Sequence, residues 1–215
     1  MTTGRIYLIR HGQTAGNGNQ YVGWDDLPLN EAGVQQANRI AVQLQAVPIS
    51  GIYCSSLKRA VNTALPLSES RGLELMCYDN LREINYGEYQ GRLKSELNLK
   101  LRKDYRYDPL PGGESLYDVY KRVGQFRDVI VDSCTRNKPI AVIAHFWSIR
   151  MLLGILQGLN FDSIFIPGGY KPANGSIYEV KYHFNKYGEM VCLAQGYLEP
   201  LAQENGYSFN QGGLP

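Results

Sequence analysis

Short apolar runs alternate along this chain with longer stretches of helical periodicity. Strand-length runs at about 5–10, 51–54, 73–78 and 139–144 are separated by helical stretches at about 31–46, 56–70, 114–133 and 147–157. Pro139 to Ala144 has no polar position, the mark of a strand covered on both faces. Asn30 is placed to cap the first helix, whose Ala32, Val34, Ala37, Ile40, Ala41 and Leu44 form an apolar stripe. The pair Ser55-Ser56 is suited to capping the second. Ser176 to Val180 and Met190 to Gln195 read as a strand pair near a sheet edge. Strands alternating with helices predict an α/β fold. With no repeat or linker, the reading is one domain over residues 1–215, with a loose polar, Gly-rich tail after about 199.

The chemistry sits at the strand ends. Arg10 and His11 follow directly on Ile6-Tyr7-Leu8-Ile9, and His145 closes the run that ends at Ala144. A lone histidine after a strand is ordinarily a hydrogen-bonded structural residue, and Arg-His-Gly alone decides nothing. Here, however, two of only three histidines occupy the same end of predicted core strands. The third, His183, lies in a polar stretch and reads as a surface residue. In open α/β sheets ligands bind beyond the carboxyl ends of the strands. There an arginine fork suits a phosphoryl group, and a neutral imidazole can attack phosphorus. The helix starting near Phe146 is expected to turn its first amides toward a bound anion. Arg59 falls in the first turn of the helix after Ser55-Ser56, where a cation opposes the macrodipole. Its placement suggests a task, although a solvated surface arginine is the plain alternative. Glu83 brings a carboxyl group after another strand, with Glu88 and Glu114 as alternative acids.

Taken together the motifs resemble those of the histidine phosphatase superfamily, also called the phosphoglycerate mutase-like family. The resemblance runs through Arg10-His11-Gly12-Gln13-Thr14 with Asn17, and Gly23-Trp24-Asp25-Asp26-Leu27-Pro28-Leu29 leading to Gly33 and Gln36-Ala37. It continues in Ser55-Ser56-Leu57 with Arg59-Ala60 and Thr63-Ala64, Leu81, Glu83, Gly87 and Gly91, Gly113-Glu114-Ser115, and His145 with Ile149-Arg150. It implies a three-layer sandwich, a central mostly parallel sheet flanked by helices. It also implies His11 as the phosphorylated nucleophile, Arg10, Arg59 and His145 as the rest of a phosphate pocket, Glu83 as proton donor and Asn17 as support for the transferred group. Gly23, Tyr86, Lys94 and Phe146 are the expected substrate contacts. Independently of the resemblance, Arg10 and Arg59 are expected to keep His11 unprotonated, since like charges lower a histidine pKa.

Two activities compete. Tyr86-Gly87, Gln90-Gly91 and Lys94 are spaced like the substrate-binding stretch of cofactor-dependent phosphoglycerate mutases, in which Lys94 would hold a carboxylate. Against a mutase, Gly91 to Gly112 is shorter than the insert that retains a bisphosphate. Phe146-Trp147 also replaces the small residues expected after the second histidine, either as a pocket wall or, for Trp147, as core packing. The reading is therefore a metal-independent phosphomonoesterase, with the mutase as alternative and a catalytically silent binding protein as a third, less favoured class. No cofactor is expected, a bisphosphate primer being needed only by the mutase.

Composition narrows the partners. A formal charge of +2 and the absence of a basic stripe with interleaved aromatics argue against nucleic acid. Arg92, Lys94, Lys100, Arg102, Lys103 and Arg106 crowd one stretch, which reads as a lid that draws in anions or as a solvated helix face. Cys54, Cys77, Cys134 and Cys192 show no metal or disulfide spacing and are expected to be reduced thiols. The first strand starts near Arg5, leaving no apolar leader, and His145 and Arg150 interrupt the apolar 139–161 stretch. The expectation is a cytoplasmic enzyme acting on a small phosphorylated metabolite, with no membrane partner and with homo-oligomerisation left open.

Overall fold

The computed structural model describes residues 4–97, 103–134, 138–165 and 170–193. The predicted tail, and Lys100 and Arg102 of the basic stretch, lie outside the described residues. The elements run β1 (Gly4–Arg10), α1 (Glu31–Gln43), β2 (Gly51–Ser55), α2 (Lys58–Arg71), β3 (Leu75–Tyr78), α3 (Leu116–Cys134), β4 (Ile140–Ala144), α4 (Phe146–Leu156), β5 (Ile177–Phe184) and β6 (Met190–Cys192). The sheet order is β3-β2-β4-β1-β5-β6. β3, β2, β4 and β1 are parallel, and β5 and β6 complete the sheet antiparallel. The expected mostly parallel sheet between helix layers is thus the observed one.

Alternation along the central strands explains the three layers. Ile6, Leu8, Ile140 and Val142 face a core built with Val119, Val123, Phe126 and Ile130 of α3 and Ile149, Leu152 and Leu153 of α4. Tyr7, Ile9, Ala141 and Ile143 face the other side, packing with Ile40 of α1 and Ala60, Ala64 and Leu67 of α2. A strand sandwiched in this way needs apolar side chains on both faces, which is why β4 has none that are polar.

Several boundaries differ from the sequence reading, each for a local reason. Asn30 does cap α1, its side chain accepting from the Gly33 amide at 2.9 Å, but regular helix stops at Gln43 and turns carry the chain through Val47. β3 begins at Leu75 because Gly72, at φ 60°, closes α2 in the left-handed conformation and the Leu73 amide still bonds the Ser68 carbonyl. β5 runs on to Phe184 because it pairs with β1 from Ile9 back to Gly4 and then with β6. The serine pair does not cap α2. Leu57 is the capping residue, with no side-chain bond, and Asp26 from a distant loop accepts from the Lys58 amide at 2.7 Å. Ser55 is thereby left to meet His145.

Candidate active site

β1 and β4 are parallel neighbours with Arg10 opposite Ala144, so the residues that follow them emerge together. The His11 amide donates to the Ala144 carbonyl at 2.9 Å. The two imidazoles face each other with centroids 4.9 Å apart. His11 Nδ1 lies 2.6 Å from the Gly12 carbonyl oxygen. A carbonyl only accepts, so Nδ1 bears the hydrogen and Nε2 keeps its lone pair. Burial, then Arg59 and Arg10, hold His11 well below the usual histidine pKa; the Gly12 bond opposes them. Burial first, then Arg59, His11 and the other cations do the same to His145. His145 Nε2 meets Ser55 Oγ at 2.8 Å, while its Nδ1 has no partner.

The two arginines are held by backbone carbonyls in place of carboxylates. Arg59 is 1% exposed, donating from Nη2 to the Gly23 carbonyl at 2.7 Å and from Nη1 to the Asp25 carbonyl at 2.9 Å. Its burial pulls its pKa down to about 10, against the pull of Glu83. Arg10 donates from Nη1 to the Pro172 carbonyl at 2.7 Å and lies over the Phe146 ring, 5.5 Å from its centroid. In both side chains Nε is buried and unpartnered. Together with His145 Nδ1, three polar atoms around His11 lack a partner in the protein. A buried polar group left in that state ordinarily costs about 1–3 kcal/mol. Such atoms gathered around one imidazole are able to donate to an oxyanion.

Glu83 is 8% exposed and anchored on both oxygens. Oε1 accepts from the Ile84 amide at 3.0 Å and the Trp147 amide at 3.1 Å, and Oε2 from the Phe146 amide at 3.1 Å. The expectation that α4 turns its first amides toward a bound anion is therefore corrected. The Glu83 side chain already occupies them, its acceptor oxygens facing the positive end of the helix. This contact fixes the acid beside the cations, for Glu83 is the largest electrostatic partner raising both Arg10 and Arg59.

Other expected contacts are placed as follows. Asn17 turns its Oδ1 to the Thr14 amide at 2.7 Å and hydroxyl at 3.0 Å, which leaves its amide hydrogens as donors. Gly23, at φ 52°, contributes its carbonyl to Arg59. A Cβ there would come within 2.7 Å of Gln90 and 2.9 Å of Tyr86. Tyr86 packs on Tyr21 at 4.9 Å; burial, then Glu83, pushes its phenol pKa well up. Phe146 is half-buried between Arg10 and the Trp147 ring. Trp147, also half-buried, packs against the core beside the Phe146 ring, as the core reading expects. Lys94 is exposed on the segment after Gly91, its amide bonded to the Asn19 carbonyl.

Three supporting residues escaped the sequence reading. Arg122 of α3 donates to the carbonyls of Asn80, Arg82 and Glu83 and to both oxygens of Glu114, clamping the turn that carries Glu83. Glu114, an alternative acid by sequence, is thus engaged by Arg122 and the Asn85 amide. Asn174 donates to the His11 carbonyl at 3.0 Å and to Asn17 Oδ1 at 3.3 Å. Asp26 supplies the distant cap of the helix that carries Arg59. Asn174 leaves a trace in sequence as the Asn-Gly turn before β5, and Asp26 lies within the Gly23–Leu29 motif, though neither signals its partner.

The sequence pattern of the histidine phosphatase superfamily (branch 1) matches residues 6–192. The chain belongs to that superfamily. Among its relatives, "Phosphoserine phosphatase 1" of Hydrogenobacter thermophilus is 32% identical over 166 residues, covering 74% of this chain and 78% of the relative. A "2,3-bisphosphoglycerate-dependent phosphoglycerate mutase" of a Methylobacterium species is 34% identical over 173 residues, covering 74% and 83%. The native structure of a mycobacterial glucosyl-3-phosphoglycerate phosphatase superposes with a TM-score of 0.73 at 30% identity, covering 85% of this chain and 92% of that one. The histidine phosphatase fold therefore accounts for the strand-end pairing of His11 and His145. Among the described residues no helix is long and apolar enough to cross a membrane.

Proposed function

We propose that this protein hydrolyses small phosphomonoesters in two steps through a phosphohistidine on His11, without a metal ion or organic cofactor, in the cytoplasm. The observation that carries the reading is the trio of unpartnered buried atoms, Arg10 Nε, Arg59 Nε and His145 Nδ1, around an imidazole whose Nε2 lone pair is available. A bound phosphoryl group satisfies that set, and the fixed donors stabilise charge that grows on its oxygens.

In the first step His11 Nε2 forms a bond to phosphorus as the bond from phosphorus to the ester oxygen breaks. The Gly12 carbonyl, already accepting from Nδ1–H, supports the positive charge that the ring then acquires. The Glu83 carboxyl group gives a proton to the departing oxygen, as a general acid within the same pocket. In the second, Glu83 takes a proton from water, water attacks phosphorus, and phosphate leaves as His11 Nε2 recovers its lone pair.

The mutase reading keeps support from the matched phosphoglycerate mutases. The phosphatase is favoured by Phe146 and Trp147, two bulky rings directly after His145 where a mutase is expected to carry small residues, and by phosphatase relatives in both sequence and structure. A screen of small phosphorylated metabolites with and without a bisphosphate primer separates the two. Phosphate release that is independent of primer and unchanged by chelator is the expected outcome. Primer-dependent exchange between positions of phosphoglycerate, with no net phosphate release, contradicts it, as does activity lost in chelator and restored by a divalent ion.

A further inference from the structure

The register that pairs β2 with β3 sets Cys54 directly opposite Cys77. Residues paired across neighbouring strands lie about 4.8 Å apart, within the roughly 4.4–6.8 Å between Cα atoms that a disulfide spans. Paired positions also share a face of the sheet, and here the two Sγ atoms stand 3.2 Å apart as free thiols. Cys54 is buried, whereas Cys77 is exposed and open to a soluble reagent.

The position of the pair matters as much as its geometry. Cys54 immediately precedes Ser55, whose hydroxyl meets His145 Nε2. Two residues after Cys77, the Asp79 carboxylate accepts from Ser56 and pairs with Arg82 at 2.9 Å. That turn continues directly into Glu83. The thiols thus sit at the base of two segments, one delivering Ser55 and Arg59 and the other Glu83.

We propose that Cys54 and Cys77 form a reversible disulfide that slows the active site under oxidising conditions. The oxidant is a small-molecule disulfide such as oxidised glutathione. The Cys77 thiolate attacks one of its sulfurs, the reagent's S–S bond breaks, and one small thiol leaves. Cys54 then gives up its proton and attacks the Cys77 sulfur of the mixed disulfide, expelling the second small thiol. Two protein thiols are oxidised and one reagent disulfide is reduced to two thiols. Burial, then the neighbouring Cys77, raises the Cys54 thiol far above its ordinary pKa, which orders the steps with Cys77 first. Closing from 3.2 Å to the roughly 2.05 Å of an S–S bond brings the sulfurs about 1.1 Å closer. Ser55 follows Cys54 in the chain, so a shift of the strand at Cys54 is carried to the hydroxyl that meets His145.

The experiment treats the full folded chain with excess oxidised glutathione, alkylates the remaining thiols and maps peptides without reduction. The expected product is a Cys54–Cys77 linkage that dithiothreitol reverses. With it the His145 imidazole resonances should shift in NMR spectra, and turnover of a phosphomonoester should fall on the order of tenfold, since a misplacement of about 1 Å can cost up to a hundredfold. Cys77→Ser should show neither change. Separate alkylation of Cys54 and Cys77, a stable glutathione adduct on Cys77, or a linkage that leaves the His145 resonances where they were would overturn the proposal. The turnover readout rests on the phosphatase reading. The linkage and the His145 resonances do not, so the two proposals fail separately.

Discussion

His11→Ala is expected to abolish phosphate release, with a loss on the order of a million-fold, the scale seen when a covalent nucleophile is removed from an enzyme whose groups act as a unit. The loss is large because no neighbour can substitute. His145, the nearest imidazole at 4.9 Å, has its Nε2 on Ser55, and the atom that remains, Nδ1, is proposed to hold the phosphoryl group. His11 is 2% exposed and packs against His145, so the alanine variant opens a small hole, and His11→Gln serves as a filled companion. Both are expected to keep the circular dichroism of the parent and to lose turnover together. Steady-state phosphate release from either variant within about tenfold of the parent would mean that water attacks the substrate directly.

Glu83→Gln is expected to divide substrates by their leaving group. An alkyl phosphate needs its departing oxygen protonated, and loss of a general acid costs typically about a hundred- to ten-thousand-fold. An aryl phosphate whose phenolate leaves readily needs little of that help. The substitution also touches structure, because one carboxylate oxygen becomes an NH2 group facing an amide that now donates to it. That disturbance of the α4 terminus affects both substrates alike, so the ratio isolates the proton. The measurement must follow a single phosphorylation turnover, since water attack on the phosphohistidine needs the same residue as a base. Equal losses for alkyl and aryl substrates would make Glu83 a positioning residue that ties α4 to the pocket.

What the sequence made legible was whatever a short stretch decides for itself. β4 is covered on both faces and reads as an unbroken apolar run, and His145 at its end was visible for that reason. Arg10 and His11 were visible by the same logic at the end of β1. Ser55-Ser56 misled, since local capping propensity suggested a helix start where tertiary contacts instead give Ser55 to His145 and Ser56 to Asp79. Arg122, forty residues from the Arg82 carbonyl that it holds, looked like any polar position on an amphipathic helix. Glu83 stood out in the sequence as a candidate acid, but its grip on the first amides of α4, 63 and 64 residues away, belongs to the folded chain alone. Segments that report their own burial can be read early; polar groups whose partners come from elsewhere cannot.

The most direct test of the central claim is to trap the intermediate. Enzyme mixed with a substrate carrying a labelled phosphoryl group, then quenched in alkali within one turnover, should yield label in the peptide that contains His11. The label should survive alkali and be lost in acid, as a phosphoramidate is, and should be absent from His11→Ala. A label that resists acid, that maps to another residue, or that persists in His11→Ala would contradict the phosphohistidine account.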